Sequence, residues 1–141
     1  PVGDRGIDGA GLDNGFNLFD DDYPARTNAE TFLVVQIETP EAVANVDAIA
    51  ATPGVDGLFI GPGDLGLRLK HYDGDMTIDS AFEAVSAAAK KHGKAWGTPA
   101  GTLEQMQKLQ GLGAQLINHG GEFMAIMNAL EASSADFDQL S

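Results

Sequence analysis

Two acidic side chains stand out in residues 36–67, QIETPEAVANVDAIAATPGVDGLFIGPGDLGL. Glu38 closes an apolar run, and Asp64 ends the turn Gly61-Pro62-Gly63-Asp64. Two carboxylates are too few for an all-protein cation cage. They suit Mg2+ or Mn2+, which keep several waters and accept a substrate's oxygens as further ligands. A glycine-rich turn leading into a helix also presents free backbone N–H groups to an anion. A cation beside such a turn makes a seat for a small 2-oxo acid. Each acid has an ordinary reading too: a strand-end carboxylate is commonly solvated or paired with a lysine, and an aspartate before a helix commonly caps it. The pattern alone leaves both open.

Positioning two such groups requires regular elements, and from residue 31 the chain alternates β-rich runs with amphipathic stretches. TFLVVQIE (31–38) is a near-continuous apolar run, as expected of a strand covered on both faces. Thr39 and Pro40 then start a helix that puts Ala42, Val43, Val46, Ile49 and Ala50 on one face and stops at TPG (52–54). GLFIG (57–61) is a second strand, followed by the PGDLGL turn with a short helix and a loop around residues 71–75. Thr77 caps a helix to about His92, with Ile78, Ala81, Phe82, Val85 and Ala89 inward and Gly93 as the stop.

The third strand is KAWGT (94–98). A helix from Thr102 to about Gly111 follows it, with Leu103, Met106 and Leu109 on one stripe. QLINHGG (115–121) is the fourth strand, residues 122–132 form the last helix, and the polar residues 133–141 form a frayed tail. Residues 1–30 are expected to be a leading loop, with FDDDYP (19–24) solvated.

Four strands each followed by a helix describe an α/β fold with a parallel sheet. A doubly wound sheet and a (β/α)8 barrel both fit. A whole barrel needs roughly 250 residues, so the 141 residues here supply about half of one. In either architecture functional groups gather at the carboxyl ends of the strands, which sends Glu38 and Asp64 to the same rim.

Composition narrows the functions. With 21 acidic residues against 8 basic ones the net charge is −13, which repels nucleic acid and anionic membrane surfaces. No apolar run approaches the roughly 20 residues of a transmembrane helix, and there is no cysteine for a disulfide or a thiolate metal site. The first residues, PVGDRGIDGAG, lack the basic start and apolar stretch of a signal peptide, which fits a cytoplasmic protein. They also lack an initiator Met and begin inside a glycine-rich loop, as expected of a piece of a longer chain.

The stretch VVQIETPEAVANVDAIAATPGVDGLFIGPGDLGL resembles the central signature of the metal-dependent pyruvate aldolases of the hydroxy-oxo-heptanedioate aldolase and citrate lyase β family. The IET…GVDG-x-x-IGP-x-DL combination is the specific part; the resemblance runs from the loop at Pro1–Gly6 to GAQLINHG. It implies a TIM barrel of the phosphoenolpyruvate/pyruvate superfamily, with strands five to eight present and one to four missing. It also implies a divalent ion (Mg2+, Mn2+ or Co2+) on Glu38 and Asp64, and a pyruvate carboxylate on the amides of Gly61, Gly63 and Asp64. The segment around Pro99 is expected to form an apolar wall of the substrate pocket.

The activity so implied is aldol cleavage of a 4-hydroxy-2-oxo acid to pyruvate and an aldehyde, with homo-oligomers when the chain is full length. Oxaloacetate decarboxylation is a close alternative through the same enolate. The family's catalytic Arg and active-site His belong to earlier strands; Arg5 corresponds to a motif Arg instead. Lys94 is read as a surface residue and Trp96 as core packing, while His119 is read as structural or pocket-lining. His71 and Tyr72 fall in a variable loop and receive no role. A half barrel that is inert alone is the competing reading, because it exposes two sheet edges and an apolar inner face. A nucleotide-binding domain is the weaker reading: GPGDLG (61–66) has the G-x-G-x-x-G spacing after a strand, but the next strand, KAWGT, ends in no acidic residue to hold a ribose.

Overall fold

The computed structural model describes residues 11, 12, 16 and 22–140; Arg5, the Pro1–Gly6 loop and residues 19–21 of the acidic stretch lie outside them. The chain divides into two units at Phe32/Leu33. In the first, α1 (Tyr23–Glu30) replaces the loop expected there. Pro24 in its first turn supplies a pre-set φ, and the Arg26 guanidinium lies 5.8 Å from the centroid of the Tyr23 ring.

The second unit begins with β1 (Val34–Ile37), α2 (Pro40–Ala44), α3 (Val46–Ala51), β2 (Gly57–Ile60) and α4 (Pro62–Leu69). It continues through α5 (Ile78–His92), β3 (Ala95–Ala100), α6 (Leu103–Gly111), β4 (Leu116–His119) and α7 (Glu122–Asp138). All four strands are parallel and lie in the order β1-β2-β3-β4.

Side chains alternate across a strand, and here the two faces differ sharply. Ile37, Leu58, Ile60, Trp96 and Thr98 are buried under the helices, against Val43, Val46, Ala50, Phe82, Val85, Ala89 and Leu109. The opposite row joins Gln36, Phe59, Gly97 and Leu116, of which Gln36 and Leu116 are exposed. β1 is therefore covered on one face only, not on both as its apolar sequence suggests. A strand order without reversal, helices on one face and an open opposite face describe a stretch of barrel wall. A doubly wound sheet would reverse its order and cover both faces.

The capping residues read from the sequence do cap. The hydroxyls of Thr39, Thr77 and Thr102 accept hydrogen bonds from the amides of Ala42, Ser80 and Gln105, respectively. Ser80 Oγ returns the favour to the Thr77 amide, and Gly93 ends α5 in the left-handed region at φ 63°. Thr77→Ala leaves the Ser80 amide without its acceptor. It is expected to lower the unfolding free energy by about 1 kcal/mol, read as a shift in urea midpoint at constant m-value.

Elsewhere the elements shift. The helix expected over 40–50 breaks at Asn45 into α2 and α3, although Val43, Val46 and Ala50 are buried as their spacing requires. Leu103 is 65% exposed, so the α6 stripe narrows to Met106 and Leu109. α7 runs on to Asp138 through residues expected to fray, and it buries no side chain. Trp96 packs near Phe82 with ring centroids 6.4 Å apart, as expected of core. Lys94 is half-buried, its ammonium donating to the Val55 carbonyl at the amino-terminal end of the strands, so it is not a simple surface lysine. On α3, Asp47 bridges to Lys91 and His92 of α5, whose hydrogen bonds, Lys91's foremost, hold its carboxyl below the ordinary aspartate range. Among the described residues no helix is long and apolar enough to cross a membrane.

Candidate functional site

Glu38 follows the last residue of β1 and is half-buried. Gly61 follows the last residue of β2, and its amide donates to the Ile37 carbonyl at 3.1 Å, which ties the turn to the end of β1. A Cβ on Gly61 would stand 3.2 Å from Glu38 Cβ, 3.3 Å from Glu38 Oε2 and 2.6 Å from Gln36 Nε2. Glycine is what allows the GPGD turn to lie against the Glu38 carboxylate.

The sequence points to an aspartate just before a helix, but α4 begins at Pro62 with Gly61 as its N-cap. Asp64 thus sits in the first helical turn, exposed, where the helix dipole favours a negative charge. The amides divide accordingly. Gly61 N–H is spent on Ile37, so it is unavailable to a substrate carboxylate, contrary to expectation. Pro62 has no N–H, and the first helical bond runs from the Leu65 amide to the Gly61 carbonyl at 3.0 Å. Gly63 and Asp64 keep the orphan donors of the turn.

Among the described residues neither the Glu38 nor the Asp64 carboxylate takes part in a hydrogen bond or an ion pair, and no group of three or more His, Asp or Glu side chains converges. Two unengaged carboxylates beside one glycine turn are a hard-oxygen donor set. They fit a hydrated Mg2+ or Mn2+ that keeps open positions; they would not satisfy a cation demanding a full protein shell.

The strand register carries the rim further. Gln36, Phe59 and Gly97 are successive partners, and Pro99 pairs with Asn118. Two residues beyond Gln36, the same row therefore holds Glu38, Gly61, Pro99 and Asn118. Pro99 is inside β3, which runs to Ala100, and it lies past the last β2–β3 pair, where a missing N–H breaks no ladder bond with β2. His119 ends β4 with Nδ1 2.7 Å from the Ala100 carbonyl, a structural tie.

Gln36 is the residue the sequence reading passed over. Its signal was present: a lone amide in an apolar run, two positions before Glu38 and so on the same face. An open groove of about 360 Å3 is lined by Thr39, Pro40, Glu41, Arg68, His71 and Tyr72, with neither Glu38 nor Asp64 in its wall.

The chain is similar to several known proteins. A 5-keto-4-deoxy-D-glucarate aldolase of Klebsiella pneumoniae is 35% identical over 131 residues, covering 90% of this chain and 51% of the relative. An HpcH/HpaI aldolase/citrate lyase family protein of Burkholderia cenocepacia superposes with TM-score 0.78 at 33% identity, over 98% of this chain and 54% of that one. The HpcH/HpaI aldolase of Desulfitobacterium hafniense gives TM-score 0.79 at 26% identity, over 100% and 56%. The chain thus spans about half the length of the curated relatives it matches. Its residues 3–129 match the model of the HpcH/HpaI aldolase/citrate lyase family, and the chain belongs to that family.

Proposed function

We propose that the full-length protein is a divalent-metal-dependent carbon–carbon lyase that cleaves a 4-hydroxy-2-oxo acid to pyruvate and an aldehyde. The 141 residues then form strands five to eight of its barrel. The observation that carries this reading is the seating of a glycine turn against Glu38, which sets two free carboxylates and two free amides on one rim. The relatives' substrate, 5-keto-4-deoxy-D-glucarate, has this bond pattern when numbered from its oxo end.

Aldol cleavage breaks the bond between carbons 3 and 4. The carbon-4 hydroxyl gives up its proton and becomes the aldehyde carbonyl. The bonding electrons pass into the enolate of pyruvate, which takes a proton at its methyl carbon. Glu38 and Asp64 would hold a divalent ion, which would supply Lewis acidity to the 2-oxo group. Gly63 and Asp64 offer their N–H groups to the substrate carboxylate, as fixed dipoles that need no reorganisation. Gln36 offers its amide to the same end of the substrate. Pro99 bounds the pocket one strand beyond Gly61.

The test is aldehyde-dependent consumption of pyruvate, and its reverse, by the full-length protein. Activity is expected to fall to background with a chelator and to return with Mg2+ or Mn2+. Activity that survives exhaustive chelation refutes the metal-dependent reading. A second reading concerns the 141 residues alone, whose open sheet face and wholly unburied α7 favour an inert half. Cleavage by the 141-residue chain, lost on Glu38→Gln, would overturn it.

A further inference from the structure

Three rows of side chains face the open side of the sheet. The first holds Val34, Gly57 and Ala95, and the second Gln36, Phe59, Gly97 and Leu116. Two residues further along, the rim row holds Glu38, Gly61, Pro99 and Asn118. Of these residues only Gln36, Glu38 and Asn118 have hydrogen-bonding side chains. The first two belong to the β1 side, where the acids and the turn amides gather. Asn118 stands at the opposite edge of the sheet, on β4, and is exposed. Asparagine is depleted in strands, yet this one follows Leu116 and Ile117 in a strand of four residues. Its carboxamide makes no hydrogen bond among the described residues, so it ties down no turn or loop.

The backbone that carries Asn118 is held on both sides. His119 has Nδ1 2.7 Å from the Ala100 carbonyl, an oxygen that only accepts, so Nδ1 carries the hydrogen and pins the end of β4 to the end of β3. Two residues before Asn118, Leu116 lies against Gly97, where no side chain separates the strands. Neighbouring strands lie about 4.8 Å apart, which sets Asn118 about 14 Å along the wall from Glu38, three strands away. The two rim positions between offer nothing to an oxygen. Gly61 has no side chain and spends its amide on Ile37, and Pro99 has no N–H. A six-carbon chain with bonds of about 1.5 Å extends about 6 Å. The ion at one end and the inward reach of the Glu38 and Asn118 side chains take up much of the remaining span.

We propose that Asn118 is a specificity-determining residue of the aldolase, bonding an oxygen that the aldehyde fragment carries at the end remote from the cleaved bond. With the pyruvate half seated at Glu38, Asp64 and the turn amides, the aldehyde half runs along the rim past Pro99 to β4. A carboxamide both donates and accepts, so an oxygen there recovers the hydrogen bonds it loses on leaving water. A methyl group in its place leaves the amide unpaired. Asn118 touches no reacting atom; it acts on which aldehyde is taken, not on the enolate. The assignment rests on the aldolase reading and deepens it.

The experiment measures aldol addition of pyruvate by the full-length protein to 3-hydroxypropanal and to butanal, which differ by a hydroxyl against a methyl group. In Asn118→Leu the ratio of the two kcat/KM values is expected to fall about 3- to 10-fold, the scale of one neutral hydrogen bond. Asn118→Ala, which adds no bulk to β4, should give the same fall. A purely structural role would lower both values together, so an equal loss on both aldehydes overturns the assignment. A ratio unchanged in both variants does the same. Deuterium exchange into the pyruvate methyl group by the unsubstituted protein separates the levels. If exchange occurs and the ratio holds, only the Asn118 assignment fails; if no exchange occurs, the aldolase reading fails and takes the Asn118 assignment with it.

Discussion

Gly97→Ala is expected to take apart the β3–β4 side of the sheet. Gly97 is buried in β3 opposite Leu116, and a Cβ there would lie 1.8 Å from the Leu116 carbonyl oxygen and 2.5 Å from its carbonyl carbon. Those are backbone atoms of a paired strand, so no side-chain rotation relieves the contact; β4 itself must move. Added methylenes in a tight core cost about 1–3 kcal/mol when side chains can yield. With a strand displaced the cost should exceed about 3 kcal/mol, a large share of the roughly 5–15 kcal/mol that holds a domain together. β4 also carries Asn118 and His119 to the rim, so the loss reaches the site. Gly63→Ala is the control, because nothing lies within 4 Å of a Cβ there and α4 is already helical. Urea unfolding followed by far-ultraviolet circular dichroism should show a depressed midpoint for Gly97→Ala and an unchanged or slightly raised one for Gly63→Ala. A Gly97→Ala midpoint within error of the unsubstituted protein would refute the close β3–β4 approach.

That steric demand is invisible in the sequence, where Gly97 is one small residue in KAWGT. The legible features were local. Thr39-Pro40, Thr77 and Thr102 announce helix starts because a hydroxyl and a pre-set φ act within a single turn. The inward faces of α5 and of the α2–α3 segment follow from a 3.6-residue period. The strand-end position of Glu38 and the helix-leading turn at Asp64 are equally local, so both site acids could be named. What failed depends on neighbours. β1 reads as covered on both faces because its residues are apolar, yet Gln36 is exposed because only one face meets helices. Gly61 was taken for a substrate donor, and its amide is claimed by Ile37 across the strand gap.

The second large effect is expected from Glu38→Gln in the full-length protein. The substitution keeps the shape that packs against Gly61, where the Glu38 carboxyl oxygen stands 3.3 Å from the built Cβ position, so folding should be preserved. What it removes is a negative charge. If Glu38 and Asp64 hold one ion, losing either carboxylate weakens Mn2+ binding and withdraws the charge stabilisation of the developing enolate. A drop in kcat/KM of about 100- to 1,000-fold is expected, the scale of removing one preorganised electrostatic group. Asp64→Asn should match it. The double substitution should be scarcely worse than either single one, because residues acting through a common centre are strongly non-additive. Mn2+ titration by calorimetry alongside kcat/KM for all three variants tests this, with urea midpoints to exclude unfolding. Independent, multiplying losses would mean that the two acids do separate jobs. Unaltered Mn2+ affinity in Glu38→Gln would reduce Glu38 to a strand-end acid and remove the basis for placing a cation on this rim.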